Sequence, residues 1–417
     1  MTAVTTTLRN ASLDDLVGVL RAQADLRFDH VAAAGRLAFE GGNLVIADAT
    51  EAIITESGVA PGNATLRPTD VFDGGIAEKL GIPVKYLRRM RSEAVAESER
   101  LFSAAWSEDG PVVPNRYADL LDANVNTWLT ADPERKFLVR GFLAPGSDTG
   151  VARAFLSNSY GMYDNLDFLM AGLSGAREAG VALDVIEANL TERRMRVKVA
   201  CPEVAALAPV LLRNYRSPFD NASPERARLL EEHGWLRPDD RPVVFAGFVL
   251  SNSETGNGSW SITPQITVRA CTNGLTIRAD ALRGVHLGAK LDEGSVRWSD
   301  ETMRRNIKLI SSQAADAVRS FTTVEYVEAK VAEIEEAAGV AVTKPVETLE
   351  RVGKQLGFTK AEQDLILADF IAGGQPTAGG FMQAVTSVAQ RVEDPDRAAD
   401  FEDAALDVLA AAAKFAE

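Results

Sequence analysis

An α+β fold is predicted from three patterns in the chain. Apolar runs of strand length crowd into residues 137–290, an amphipathic helical pattern begins near Asp300, and the chain beyond Gly339 is helical and alanine-rich. We therefore expect a central, mainly antiparallel sheet with a long packed helix, followed by a helical C-terminal region. The glycine- and asparagine-rich connection at residues 251–259 predicts a hairpin loop in this sheet. Ser299 is the predicted cap of the long helix, and Thr322–Thr323 is its predicted interruption. The expected divisions are residues 1–135 (N-terminal mixed α/β and helical region), 136–338 (central β-rich domain with the long helix) and 339–417 (acidic helical C-terminal region).

Residues 76–90 have the rhythm of two helices joined by a tight turn, with Gly81 in the turn. If the second helix reads DNA, it should expose Lys85, Arg88 and Arg89. The alternative is an ordinary helical hairpin with a solvated basic face.

A strict polar–apolar alternation at residues 194–199 indicates a half-buried strand. Side chains on a strand alternate between its two faces, so Arg194, Arg196 and Lys198 should project together. The face that they form is expected to be open and cationic.

Two further basic elements could share one surface with this strand. They are Arg269 and Arg278 near the Cys271 turn, and Arg304, Arg305 and Lys308 on the long helix. Such a surface suits a phosphate backbone, with aromatic rings as stacking partners for bases. The candidate rings are Tyr160, Tyr215 and Trp260. The alternative is that these cations pair with acidic neighbours (Glu187, Glu192 and Asp280) and keep the sheet soluble.

The distribution of charge decides whether a nucleic-acid partner is reasonable for an acidic chain. The net charge is −15, but residues 151–310 carry +1 and residues 311–417 carry −10. The centre can therefore present a local basic face. The acidic C-terminal region should repel DNA or compete with it for the basic strand.

Several classes of protein are disfavoured by composition. No window approaches 18 uninterrupted apolar residues, and the start lacks signal-peptide features, so a cytoplasmic protein without a membrane span is expected. The two cysteines and three histidines form no metal motif, and neither a phosphate-binding P-loop nor a GxSxG nucleophile motif is present. We expect no metal, no cofactor and no catalytic residues.

Several segments carry a resemblance to a known family. Residues 249–260 (VLSNSETGNGSW) run on to a turn at 271–274 (CTNG), preceded by residues 153–160 (RAFLSNSY) and 124–129 (NVNTWL). In order and spacing they resemble the phage- and plasmid-borne proteins catalogued as a domain of unknown function (DUF nine-three-two, the YafZ/YfjQ type). The resemblance spans about residues 75–390, and its last segment, near residues 383–386, departs from the family pattern. It implies a role in DNA recombination, replication or counteraction of host defence.

The function expected is a phage- or plasmid-type nucleic-acid-binding protein, not an enzyme, which binds or anneals single-stranded DNA as a homo-oligomer. Strands followed by a helix with a basic face are similar, at the level of fold, to phage single-strand annealing proteins. The alternative is a structural or interaction protein that self-assembles or binds a host factor. An enzyme acting on nucleic acid through Asp164, Asp167 and His286 is a third class.

Overall fold

Two sheets and a set of covering helices make up the fold, which is α+β as predicted. The structure is a computed structural model that describes residues 7–55, 58–104, 115–211, 243–268, 274–286, 291–295 and 300–416. Sheet A is the central antiparallel sheet, and sheet B belongs mostly to the N-terminal part of the chain. No helix in these ranges is long and apolar enough to cross a membrane.

The strands of sheet B are β2 Arg27–Ala33, β3 Leu37–Glu40, β4 Asn43–Thr55, β5 Gly58–Pro68, β6 Lys136–Leu143, β7 Thr149–Ser157 and β14 Gly294–Ser295. Their order in the sheet is β14-β2-β6-β7-β5-β4-β3, in which β5 and β7 are parallel and the other neighbours antiparallel. Because β6 and β7 hydrogen-bond to each other and to β2 and β5, the expected boundary between residues 135 and 136 falls inside this sheet.

Three helices, α2 Asp70–Leu80, α3 Val84–Ala104 and α4 Arg116–Ala131, form a layer beside sheet B. Gly81 ends α2 with φ of 72°, in the left-handed conformation that favours glycine. The two helices on either side of this turn are present as the sequence predicts. The side chains of Lys85, Arg88 and Arg89 are exposed. That they read DNA stays a prediction.

The strands of sheet A are β1 Leu8–Ala11, β8 Asp184–Leu190, β9 Met195–Leu207, β10 Val243–Asn252, β11 Trp260–Val268, β12 Gly274–Thr276 and β13 Leu282–Gly284. Their order in the sheet is β1-β8-β9-β10-β11-β12, and β13 also pairs with β11. The predicted hairpin is confirmed, since β10 and β11 pair antiparallel across the loop at residues 253–259.

Helices cover both faces of sheet A. The apolar face, which carries Met195, Val197 and Val199, packs in one core with α1 Leu13–Asp25, α5 Asn165–Glu178 and α6 Asp300–Phe321. The opposite face, here called the polar face, lies under α11 Pro395–Lys414, with α7 Val324–Ala338 beside it. The remaining helices of the acidic C-terminal region are α8 Pro345–Leu356, α9 Lys360–Gly373 and α10 Ala378–Ala389.

The long helix predicted from Asp300 is confirmed, and it stops at the expected pair of threonines. The side chain of Thr323 accepts a hydrogen bond from the Tyr326 amide at 3.2 Å and caps α7. The cap proposed at Ser299 lies outside the described residues.

Helices α5 and α6 approach each other closely at Gly175, so a methyl group there should be costly. A Cβ at this position would lie 2.2 Å from the carbonyl oxygen of Ser311. We expect Gly175→Ala to lower the free energy of unfolding by about 1–3 kcal/mol, because the helices must separate. Gly18, an exposed glycine in α1, is the matched control, since a Cβ there meets nothing within 4 Å. Gly18→Ala should instead raise stability by about 0.5–1 kcal/mol. Chemical denaturation of both variants checks the pair, and equal effects would refute the close-packing argument.

Candidate nucleic-acid interface

The basic strand lies on the polar face of sheet A, but that face is not open. Arg196 and Lys198 retain 6% and 4% of their accessible surface, because α11 lies across them. The expectation of an exposed cationic strand is therefore wrong for these two residues. Arg194, at the edge, keeps 27% of its side chain exposed.

Acidic side chains of α11 pair with this strand one after another. Arg194 donates to Asp396 at 2.8 Å and to Asp400 at 2.9 Å. Deeper in, Arg196 donates to Asp403 at 2.9 Å. The acidic C-terminal region therefore contacts the basic strand directly, and its competition with an outside ligand stays a prediction.

The innermost cation, Lys198, is shared by two carboxylates. It donates to Glu187 at 2.6 Å and also to Glu402. The pairing with Glu187 is the one that the alternative interpretation of the sequence named. Burial is the largest effect on Lys198 and would lower its pKa, but the two carboxylates outweigh it and the pKa is raised. This cation is charged, buried and fully engaged inside the protein.

Two carboxylates of α11 that contact the basic strand, Glu402 and Asp403, have pKa values shifted in opposite directions. Burial raises the pKa of Glu402, and the attraction of Lys198 does not fully offset it. For Asp403, burial acts in the same direction, but Arg196 outweighs it and holds the pKa below the usual range. Asp403 is therefore a firm anionic partner at neutral pH.

The other predicted basic residues do not all join this surface. Arg278 lies beside the strand at the rim of the polar face, where its side chain is 53% exposed. The residues Arg304, Arg305 and Lys308 are exposed on α6, which packs against α5 on the apolar side of the sheet. The expectation that all three basic elements share one surface is therefore wrong. The basic side chains of α6 lie on the apolar side of sheet A, whereas Arg196 and Lys198 of β9 lie on its polar face. Arg269 lies outside the described residues.

An open groove remains where the polar face meets the edge of α11. A cavity of about 250 Å³ is lined by four arginines and by the aspartate Asp403. We call it the arginine groove, and its arginines are Arg194, Arg196, Arg278 and Arg283. A second cavity of about 440 Å³ shares Arg278, Arg283 and Asp403 and continues the groove between α7 and α11.

Arg283 lines the groove but was not predicted from the sequence as a nucleic-acid contact. It is exposed on β13, and its guanidinium donates to the carbonyl of Arg278 at 3.2 Å. β13 pairs with β11, which places Arg283 opposite Ser261. The alternation Leu282-Arg283-Gly284 is a weak indication of a short strand that exposes Arg283. The pairing of this strand with β11 cannot be predicted from local sequence.

The loop between β10 and β11 forms one wall of the groove and is fixed by its own hydroxyl groups. Ser253 donates to the carbonyl of Arg193 at 2.6 Å, and Thr255 donates to the carbonyl of Glu192 at 3.0 Å. The Asn257 amide in turn donates to the Ser253 hydroxyl at 3.0 Å. This wall is therefore polar and held against the turn that precedes the basic strand.

Segments that carry the family resemblance converge elsewhere, at a junction between the two sheets. Glu254 accepts hydrogen bonds from Arg153 at 2.8 Å and from the Asn165 amide at 2.6 Å. Arg140 donates to Asp29 at 2.7 Å and to Asp164 at 2.6 Å. The cavity among these groups measures about 20 Å³, which is room for about one water molecule. The junction is a buried ionic contact and not a pocket for a substrate.

The three residues considered for an enzyme lie in different electrostatic environments. Asp164 accepts from Arg27 and Arg140, which outweigh burial and keep its pKa low. Burial raises the pKa of Asp167 and lowers that of His286, whose Nδ1 lies 2.9 Å from the carbonyl of Gly161. In the described part of the chain, no group of His, Cys, Asp and Glu side chains is arranged to hold a metal ion.

Two of the aromatic side chains proposed for base stacking, Tyr160 and Trp260, contact other rings of the protein. Tyr160 stacks on His286 with ring centroids 4.9 Å apart, and its hydroxyl donates to the carbonyl of Ser253 at 2.9 Å. Trp260 is 6% exposed and packs beside Phe168. The expectation of an open stacking surface is therefore wrong for Trp260. Tyr160 is half-buried, and Tyr215 lies outside the described residues.

Comparisons with known proteins add no identification. No protein-family model matches the chain, and no curated protein and no solved structure matches it either. The family resemblance stays a prediction.

Proposed function

We propose that the protein is a non-enzymatic nucleic-acid-binding protein that takes the phosphate backbone of single-stranded DNA into the arginine groove. The observation that carries the proposal is the convergence of four arginines on the cavity of about 250 Å³, whose described lining includes one carboxylate, Asp403. The continuation of the groove adds Lys330 and the carboxylates Glu333 and Asp407. Guanidinium groups donate two parallel hydrogen bonds to phosphate and keep their charge at any physiological pH.

A single strand suits this groove better than a duplex does. The groove lies between the polar face of sheet A and α11, and its two cavities measure about 250 and 440 Å³. Duplex DNA has a persistence length of about 50 nm and is stiff, whereas a single strand is flexible and can fit its phosphates to arginines in a small cavity. Phosphate contacts carry no sequence information, so binding should depend little on base composition. A role in annealing during recombination or replication, as an oligomer, would use the same contacts.

Neutralising the exposed end of the groove should weaken binding. The double variant Arg278→Gln/Arg283→Gln removes two exposed guanidiniums, and affinity for a labelled single-stranded oligonucleotide should fall by about tenfold or more. The slope of log affinity against log salt should flatten by about 0.7 for each lost phosphate contact. Fluorescence anisotropy across a salt series measures both quantities.

The matched control is Arg304→Gln/Arg305→Gln, which changes charge equally at exposed sites on α6. This variant should keep the parent's affinity and salt slope. Equal losses in the two variants would contradict the groove assignment, because they would reflect net charge alone.

The alternative is an assembly or interaction protein that uses its C-terminal helices. Exposed apolar side chains favour it, since Ile371 is 69% and Val346 51% exposed. An interface of that kind should be insensitive to salt, whereas DNA binding weakens steeply as salt rises. A parent protein that retards no oligonucleotide at low salt, but whose mass in light scattering exceeds that of one chain, would favour this alternative.

A further inference from the structure

We propose that α11 is a built-in competitor whose carboxylates occupy the arginines that a DNA backbone would use. This inference rests on the proposed function and adds its regulation. It predicts that the chain as folded binds nucleic acid below its full capacity.

Four aspartates of α11 are spaced so that they share one face of the helix. Asp396, Asp400, Asp403 and Asp407 follow one another at intervals of four, three and four residues along α11. This spacing places them on one helix face, at rises of about 6, 4.5 and 6 Å. We call this row the acidic face of α11. It offers a regular line of negative charge, as a nucleic-acid strand does.

The acidic face of α11 pairs with arginines of the groove. Asp396 and Asp400 meet Arg194 at 2.8 and 2.9 Å, and Asp403 meets Arg196 at 2.9 Å. Asp407 lies 4.0 Å from Arg278. Three of the four arginines of the groove are therefore paired with the acidic face of α11.

The acidic residues of α11 differ in exposure. Asp400 and Asp407 are 49% and 62% exposed, and exposed ion pairs are weak because water and salt screen them. Glu402 lies between them in sequence, is 8% exposed and accepts a hydrogen bond from the buried Lys198. A phosphate can therefore displace the exposed carboxylates while the buried contact keeps α11 in place.

The polar face beside α11 is incompletely hydrogen-bonded. The polar face carries hydroxyl and amide side chains beside Arg196 and Lys198, in register across β10, β11 and β12. Both polar atoms of the Gln265 side chain and the hydroxyl of Thr267 are buried without a hydrogen-bond partner. Burying such groups unpaired costs free energy, so this contact is less favourable than an apolar one of the same area.

The test is the double variant Asp400→Asn/Asp407→Asn, which neutralises the two exposed carboxylates and keeps their shape. We expect its affinity for a single-stranded oligonucleotide, by fluorescence anisotropy at moderate salt, to exceed the parent's by roughly three- to tenfold. The matched control is Glu350→Gln/Asp364→Asn, which changes charge equally at exposed positions on α8 and α9. The control should bind as the parent does.

The outcomes separate this inference from the function beneath it. A parent that binds, with Asp400→Asn/Asp407→Asn no tighter than the control, overturns the competitor and leaves the function standing. Binding by neither the parent nor this variant overturns both. Binding by the variant alone supports the competitor in its strongest form, because the parent would then be fully blocked.

Discussion

Replacing Arg140 with Met is expected to lower the free energy of unfolding by about 3–5 kcal/mol. The guanidinium is 4% exposed and donates to Asp29 at 2.7 and 3.2 Å and to Asp164 at 2.6 Å. Methionine fills a similar volume but leaves these carboxylates buried with less compensation. The midpoint of urea denaturation should fall accordingly.

A second substitution distinguishes charge from packing at this junction. Adding Asp29→Asn to Arg140→Met removes one uncompensated carboxylate, so part of the lost stability should return. The exposed control, Arg36→Met, breaks two surface pairs and should cost no more than about 1 kcal/mol. Equal costs at Arg140 and Arg36 would show that the junction contributes no more than a surface contact.

Lys198→Met is expected to be destabilising on a similar scale, about 3–5 kcal/mol. Lys198 is the shared partner of Glu187 and Glu402, and its loss leaves two carboxylates near each other on a buried face. Glu402→Gln in the same chain should restore part of the stability, because it removes one of the two charges. Thermal unfolding of the single and double variants measures both effects.

Lys308→Met is the control for this second prediction, since Lys308 is an exposed basic residue on α6. Surface substitutions of this kind usually change stability by less than about 0.5 kcal/mol. If Lys198→Met left stability unchanged and weakened oligonucleotide binding, Lys198 would be a ligand contact and not an internal one.

Local pattern was sufficient to predict much of the fold. The alternation at residues 194–199 placed Met195, Val197 and Val199 toward the core, and the loop at residues 253–259 joins two paired strands. The interruption at Thr322–Thr323 also appears where expected. Each of these signals lies within a few residues, where periodicity and capping act.

Contacts between elements far apart in the sequence could not be predicted from these local patterns. The sequence shows that Arg196 and Lys198 share a face, but period-two alternation does not tell whether water or another element covers it. The spacing of Asp396, Asp400 and Asp403 in the sequence predicts that they share one face of a helix. Such an acidic row was the one local indication that a helix could cover the basic strand. Its docking on β9 depends on residues some two hundred positions apart, which no local rule connects.

The two sheets are interleaved along the chain, and this has a consequence for how the protein reaches its native state. β1 pairs Leu8 with Leu190 in sheet A, although six of the seven strands of sheet B lie between them in sequence. The seventh, β14, follows the strands of sheet A and pairs Gly294 with Val31. On a ribosome β1 must wait for β8 to emerge, and the second edge of β2 stays unpaired until β14 is made. Because contacts of such wide sequence separation slow folding, we expect refolding to be slow and the two sheets to mature together.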